Sequence, residues 1–290
     1  MDELKPTLEE FQESALETVR AVAPPTLIFA AGGTRRGAAL AGVSPQSDDY
    51  ARWSRERMMS CFDLIFRHGV QHIFTFAIVN SQFEEVTEGY REKLISWVDW
   101  GLAGPEALRE YDDLGWRVRL LGTDGIQPLQ ETARRLEGAT PDHYRHTLWW
   151  YVVPDLDAPW RWLLDAAYHA QAQTREEVVR ALYGEDIPPA SLFLSFGKPM
   201  VSPALLPPPL VGSLHCYWLQ RPSYELSQRQ FRHILYDYAY LRATWQEDKG
   251  GRAEQALNHR DLWEDGPTIG LGQRLGPFWY PAPIDPPEVG

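Results

Sequence analysis

TLIFAAGGTRRG, residues 26–37, is the stretch on which the fold turns. Its first six residues lie between Pro24-Pro25 and Gly32-Gly33 and suit a strand buried inside a parallel sheet. A glycine turn, a hydroxyl and two guanidinium groups follow at once: Gly32, Gly33, Thr34, Arg35 and Arg36. In an open parallel sheet, ligands bind beyond the carboxyl ends of the strands. Glycines let backbone N–H groups approach phosphate there, and arginines grip its oxygens bidentately. The five residues are therefore a chemically competent anion site. The spacing matches neither G-x-x-x-x-G-K-[ST] nor G-x-G-x-x-G, and local chemistry is also served by a solvated turn bearing two surface arginines.

Outward from this stretch, strand and helix patterns alternate. Upstream, Thr7 and Glu10 form a capping box for a helix carrying Leu8, Phe11, Leu16 and Val19, ended by Pro24-Pro25. Downstream, helical periodicity runs from Asp48 to His68 with Gly69 at its end, then VQHIFTFAIV at 70–79 reads as a strand. Helical text at 84–100, 105–113 and 127–137 alternates with strands at 116–122 and 146–153. Thr174 and Glu177 cap a helix that Gly184 closes before the strand at 191–196. A Pro-rich loop from Gly197 to Gly212 leads to a strand at 213–219 and a long helix near 225–243. On that helix Phe231, Ile234, Leu235, Tyr238 and Leu241 form one stripe, expected to be buried. The expectation is α/β: a single domain over 1–290 with a mostly parallel central sheet flanked by helices, and 266–290 an irregular Pro/Gly-rich tail.

Bulk properties narrow the chemistry. The 290 residues are 44% hydrophobic and 23% charged, the balance of a globular enzyme-sized chain. A net charge of −12 argues against nucleic acid as a partner, because phosphate backbones need clustered Lys and Arg. No apolar run reaches the roughly 20 residues of a membrane span, and the start MDELKPTLEEF is acidic where a secretory signal is basic. A cytoplasmic location is expected. Cys61 and Cys216 stand far apart and read as reduced core residues. None of the eight histidines has a carboxylate or Cys partner at metal-ligand spacing.

A strand, a loop with G-x-R-R and then a helix resembles the first conserved region of the cis-prenyltransferases, whose loop reads Asp-Gly-Asn-Arg-Arg or similar. The likeness continues in order along the chain: GTRR at 33–36, SDDY at 47–50, FRHGVQHIF at 66–74, RVRLLG at 117–122, LYGE at 182–185, LFLSFG at 192–197, PSY at 222–224 and ILYDYAYLR at 234–242. Taken together these resemble the diterpene branch of the superfamily represented by tuberculosinol synthase, also called tuberculosinyl adenosine transferase.

The resemblance implies a cis-prenyltransferase-like fold, a homodimer, and an enzyme that binds an allylic isoprenoid diphosphate. It would ionise that substrate and quench the cation with water or a small-molecule acceptor. Arg35 and Arg36 match the family's diphosphate-binding arginines, Arg221 falls about where another occurs, and Tyr50 matches an active-site tyrosine of the diterpene branch. Gly32, Gly33 and Thr34 complete the diphosphate loop. One position departs from the pattern: Gly32 stands where the family has the Asp that holds Mg²⁺. Asp48 and Asp49 are candidate replacement carboxylates, or else helix N-terminal residues placed there for electrostatic reasons. Two alternatives stay open beside the terpene synthase reading: metal-independent prenyl transfer to an aromatic or nucleoside acceptor, and a non-catalytic subunit.

Overall fold

The computed structural model describes residues 5–141, 143–207, 210–244 and 250–282. The chain opens with α1 (Leu8–Glu13), α2 (Leu16–Arg20) and β1 (Thr26–Ala30), followed by α3 (Thr34–Leu40) and α4 (Asp48–Arg67). Next come β2 (His72–Ile78), α5 (Asn80–Phe83), α6 (Tyr90–Ala103), α7 (Pro105–Leu114), β3 (Trp116–Leu121), α8 (Gln127–Gly138) and β4 (His146–Val152). The second half holds α9 (Ala158–Ala170), α10 (Arg175–Tyr183), β5 (Ala190–Phe196), β6 (Val211–Leu219), α11 (Gln228–Tyr236), α12 (Arg252–Leu257), α13 (Arg260–Glu264), β7 (Gly272–Leu275) and β8 (Phe278–Pro281).

The first six strands form one sheet in the order β3-β4-β2-β1-β5-β6, and every neighbouring pair is parallel. The chain leaves β1 toward β2 and leaves β5 toward β6, on opposite sides. The order therefore reverses between β1 and β5, the place where α/β sheets open a ligand crevice. Side-chain alternation feeds two cores. Leu27, Phe29, Ile73, Leu148, Trp150, Leu192 and Leu194 face the helices of the larger core. Ile28, Phe74, Trp149, Tyr151 and Phe193 face the smaller one, toward α9 and α10. Residues of either parity are buried, so these strands read as continuous apolar runs. Among the described residues no helix is long and apolar enough to cross a membrane.

Four local expectations are corrected. The opening helix is two short ones, broken at Ser14, where the Arg232 guanidinium enters and donates to the carbonyls of Gln12 (2.6 Å) and Ser14 (2.9 Å). The long helix near 225–243 is a 3₁₀ turn at Ser223–Glu225, then α11 behind a Ser227–Gln230 capping box, then a wide π-type turn at Asp237–Leu241. That turn rotates the stripe off the core, leaving Tyr238 half-buried and Leu241 44% exposed. Cys61 is buried, but Cys216 is only half-buried. The stretch 266–290 is not irregular throughout, because β7 and β8 pair antiparallel within it; residues 283–290 lie outside the described residues. In addition α9, unread in the sequence, starts at Ala158 with a Pro in its first turn.

Candidate active site

Residues 32–36 leave β1 at the point where the strand order reverses. Gly33 takes a left-handed conformation (φ 73°) that turns the chain directly into α3, whose first amides have no intrahelical acceptor. Gly32 is held against the end of β5: a Cβ placed there would lie 3.0 Å from the Phe196 carbonyl oxygen. The Asp-to-Gly departure thus coincides with a close backbone approach between the two strands that flank the crevice. Gly32→Asp is expected to destabilise the fold by about 1 kcal/mol, because the Phe196 carbonyl must give way. It should also weaken diphosphate binding in EDTA several-fold, as a carboxylate arrives beside two arginines. Thermal unfolding and titration calorimetry check both, and a variant matching the parent in each would contradict the geometry.

The loop side chains point different ways. Thr34 Oγ1 and Tyr50 Oη, on α4, share a hydrogen bond of 2.9 Å. Arg35 donates to Glu85 Oε2 at 2.9 Å and to the Tyr90 hydroxyl at the start of α6. Arg36 is less committed. Its guanidinium reaches the Gln220 carbonyl only at 3.4 Å and lies 5.6 Å from the centre of the Phe278 ring, on β8. The C-terminal hairpin therefore covers the arginine that has the fewest partners of its own.

Beyond the loop a cavity of about 590 Å³ runs between α4 and α6 over the ends of β2 and β4. Tyr50, Ser54 and Met58 line one wall at four-residue spacing, and Leu94, Trp97, Val98, Gly101 and Leu102 line the other. On α6 the cavity-lining residues run from Leu94 to Leu102, eight positions or about 12 Å along the helix, and Tyr90, which meets Arg35, lies one turn before them. One end is cationic and the rest mostly apolar, with Ser54, Ser81 and Gln82 as uncharged polar members and Arg55, 7% exposed, paired with Glu110 at 2.5 Å. A neutralised Arg55 does not oppose positive charge in the cavity.

Tyr50 stands where the two regimes meet, 5.5 Å from Trp97 ring to ring. Burial raises its phenol pKa, opposed by the Thr34 hydrogen bond and by Arg35, so it stays neutral and offers an electron-rich face. If that face is its contribution, Tyr50→Phe keeps turnover within about threefold, while Tyr50→Ala loses about tenfold or more. Steady-state rates for the two variants test this; equal losses would transfer the role to the hydroxyl.

The structure brings Gly32, Gly33, Thr34, Arg35, Arg36 and Tyr50 into one cavity wall. It does not bring Asp48, Asp49 or Arg221. The first turn of α4 presents both carboxylates to water, Asp48 at 94% and Asp49 at 82% exposure, with only long contacts to Lys93 (3.8 Å) and Arg52 (3.7 Å). Arg221 is exposed, and it is the carbonyl of its neighbour Gln220 that Arg36 meets. Sequence reasoning missed Tyr90, Trp97, Arg55 and Phe278.

A Mg²⁺ ion takes oxygen donors, commonly one or two carboxylates beside the substrate's phosphates. No Asp or Glu lines the cavity, the nearest carboxylate to the loop arginines is engaged with Arg35, and the family's Asp position is Gly32. The donor set is cationic and does not fit a protein-held Mg²⁺.

No model of a known protein family matches the chain. It is 50% identical over 276 residues to (+)-kolavelool synthase from Herpetosiphon aurantiacus, covering 95% of this chain and 96% of that one. It is 26% identical over 246 residues to tuberculosinyl adenosine transferase from Mycobacterium tuberculosis, covering 79% and 80%. Among solved structures, lavandulyl diphosphate synthase from Lavandula x intermedia, in complex with dimethylallyl diphosphate, superposes with a TM-score of 0.60 at 12% identity, over 76% of this chain and 97% of that one. A probable undecaprenyl diphosphate synthase from Campylobacter jejuni gives 0.56 at 14% identity, over 78% and 98%. The two structural likenesses are likenesses of fold.

Proposed function

The chain belongs to the diterpene synthase branch of the cis-prenyltransferase-like superfamily, and we propose that its cavity binds a diterpenyl diphosphate and ionises it. The observation that carries this reading is the polarity of the cavity: an arginine-bearing loop at one end and a largely apolar, aromatic wall about 12 Å long on α6 leading away from it.

The diphosphate sits on Arg36, Arg35, Thr34 and the loop amides, and the hydrocarbon lies along α4 and α6. The allylic C–O bond breaks with its electron pair leaving on the diphosphate, which the guanidinium groups stabilise as its charge grows. The carbocation forms next to the Tyr50 and Trp97 rings, whose π faces favour it. Attack by water, with loss of one proton, gives a diterpene alcohol. The arginines take up the leaving-group charge without carboxylate-held metal.

Incubation with geranylgeranyl diphosphate and with bicyclic diterpenyl diphosphates, in EDTA and in Mg²⁺, tests this by mass spectrometry. A diterpene alcohol or hydrocarbon formed in EDTA is the expected result. Turnover seen only with Mg²⁺ would refute the metal-free grip, and no product from any of these substrates would refute the substrate class. A second reading, prenyl transfer to a nucleoside, is favoured by the likeness to tuberculosinyl adenosine transferase; adding adenosine to the same assay separates it, through an adduct in place of the alcohol. A homodimer belongs to the proposal by analogy with the superfamily, and a cytoplasmic location by the acidic start of the sequence.

A further inference from the structure

A second cavity, of about 620 Å³, opens on the other face of the sheet, where the chain leaves β3 and passes under α9 and α10. Its size matches that of the first cavity and falls within the range of small-molecule sites. Three aromatic residues shape it. Tyr151 and Trp162 stack with ring centres 5.7 Å apart and planes 20° from parallel. The Tyr151 hydroxyl pairs with that of Tyr183, so their polar ends satisfy each other. Tyr151 also stacks, at 6.0 Å, on Phe76, which lines the first cavity.

Their charges are opposite. Arg35 and Arg36 stand at the mouth of the first cavity, whose lining has no carboxylate; the second is lined by Asp124, Asp165 and His169 and by no Lys or Arg. Both aspartates are exposed at its mouth. A diphosphate is repelled there, whereas a cation gains from the rim carboxylates and from the aromatic faces behind them. An uncharged hydrocarbon would use the apolar wall but leave the acidic rim without a partner.

We propose that this second cavity is a separate binding site for a small organic cation with an apolar or aromatic body, such as a quaternary ammonium or a protonated amine. The aromatic layer of Tyr151 and Trp162 receives its body, and Asp124 and Asp165 hold its charge near the opening.

Benzyltrimethylammonium and its uncharged carbon isostere, neopentylbenzene, titrated separately into the full chain and followed by the ligands' own NMR signals, test the assignment. The ammonium is expected to bind saturably and more tightly than the isostere. Asp124→Asn combined with Asp165→Asn should weaken it about threefold to tenfold, and Trp162→Ala about tenfold. Because the two aspartates are exposed, their variant keeps the test sound even if Trp162→Ala fails to fold. Tyr50→Ala, in the first cavity, should leave the affinity unchanged. Absence of saturation, equal binding of the isostere, indifference to the double Asp variant, or loss of binding in Tyr50→Ala would each overturn the proposal. So would a self-associated form of the chain that excludes the ammonium, which would assign the cavity to a second copy.

Discussion

Arg36→Ala is expected to lower kcat/KM for a diterpenyl diphosphate by about a hundredfold to a thousandfold, the loss that follows removal of one donor from a developing anion. The choice of Arg36 over Arg35 follows from their partners. Arg35 is already engaged by Glu85 and Tyr90, so a diphosphate meets a guanidinium whose charge is partly answered. Arg36 has a distant carbonyl and the face of Phe278, neither of which neutralises it. Its loss removes positive charge that is worth more when the diphosphate carries the full leaving-group charge than when it is bound as an ester. The deficit should therefore fall on kcat as well as on KM. The fold should tolerate the change, because Arg36 is half-buried and carries no buried ion pair. Steady-state kinetics with a thermal melt checks this, and parent-like kcat/KM would remove Arg36 from the site.

Gly33→Ala is the second large effect, and it acts through the same arginine. At φ 73° an added Cβ costs about 1–2 kcal/mol in backbone strain. It would also lie 2.7 Å from Arg36 Nη2 and 3.6 Å from the Pro222 Cα. The flexible guanidinium yields before the backbone does, so Arg36 is pushed off its position at the cavity mouth. The expected outcome is a stability loss of that size together with a fall in kcat/KM of about tenfold or more. Denaturant unfolding and kinetics on one preparation separate the two consequences. A variant that loses stability but keeps its kinetics would show that the position of Arg36 is not what the glycine protects.

The readable parts of this chain were those where one physical cause dominates. β1 and the loop after it are legible because a strand buried on both faces has few alternatives, and because two glycines before two arginines have a chemical meaning at a strand end. The α4 start was legible as a helix, but the sequence left open whether its first carboxylates face the site or solvent. Asp48 and Asp49 precede Tyr50 by a residue or two, yet the turn of the helix sends them to solvent and Tyr50 into the cavity. The far wall of the cavity was invisible for a different reason. Leu94, Val98, Gly101 and Leu102 recur at helical spacing, and an apolar stripe facing a cavity has the same pattern as one facing a core. Phe278 could not be found at all, because its meeting with Arg36 joins residues 242 positions apart through a hairpin hidden in Pro- and Gly-rich text. Helix α9 went unread because its outward positions are apolar, with Trp160, Leu164 and Tyr168 all exposed, which blurs the amphipathic signal.

The central claim is that the chain breaks the carbon–oxygen bond of a diterpenyl diphosphate and that water captures the cation. Turnover in ¹⁸O-labelled water tests it most directly, because the origin of the alcohol oxygen reports which bond was cut. The account predicts a diterpene alcohol carrying ¹⁸O, lost with Arg36→Ala. An alcohol that retains the substrate's own oxygen would mean cleavage at phosphorus, and would contradict it.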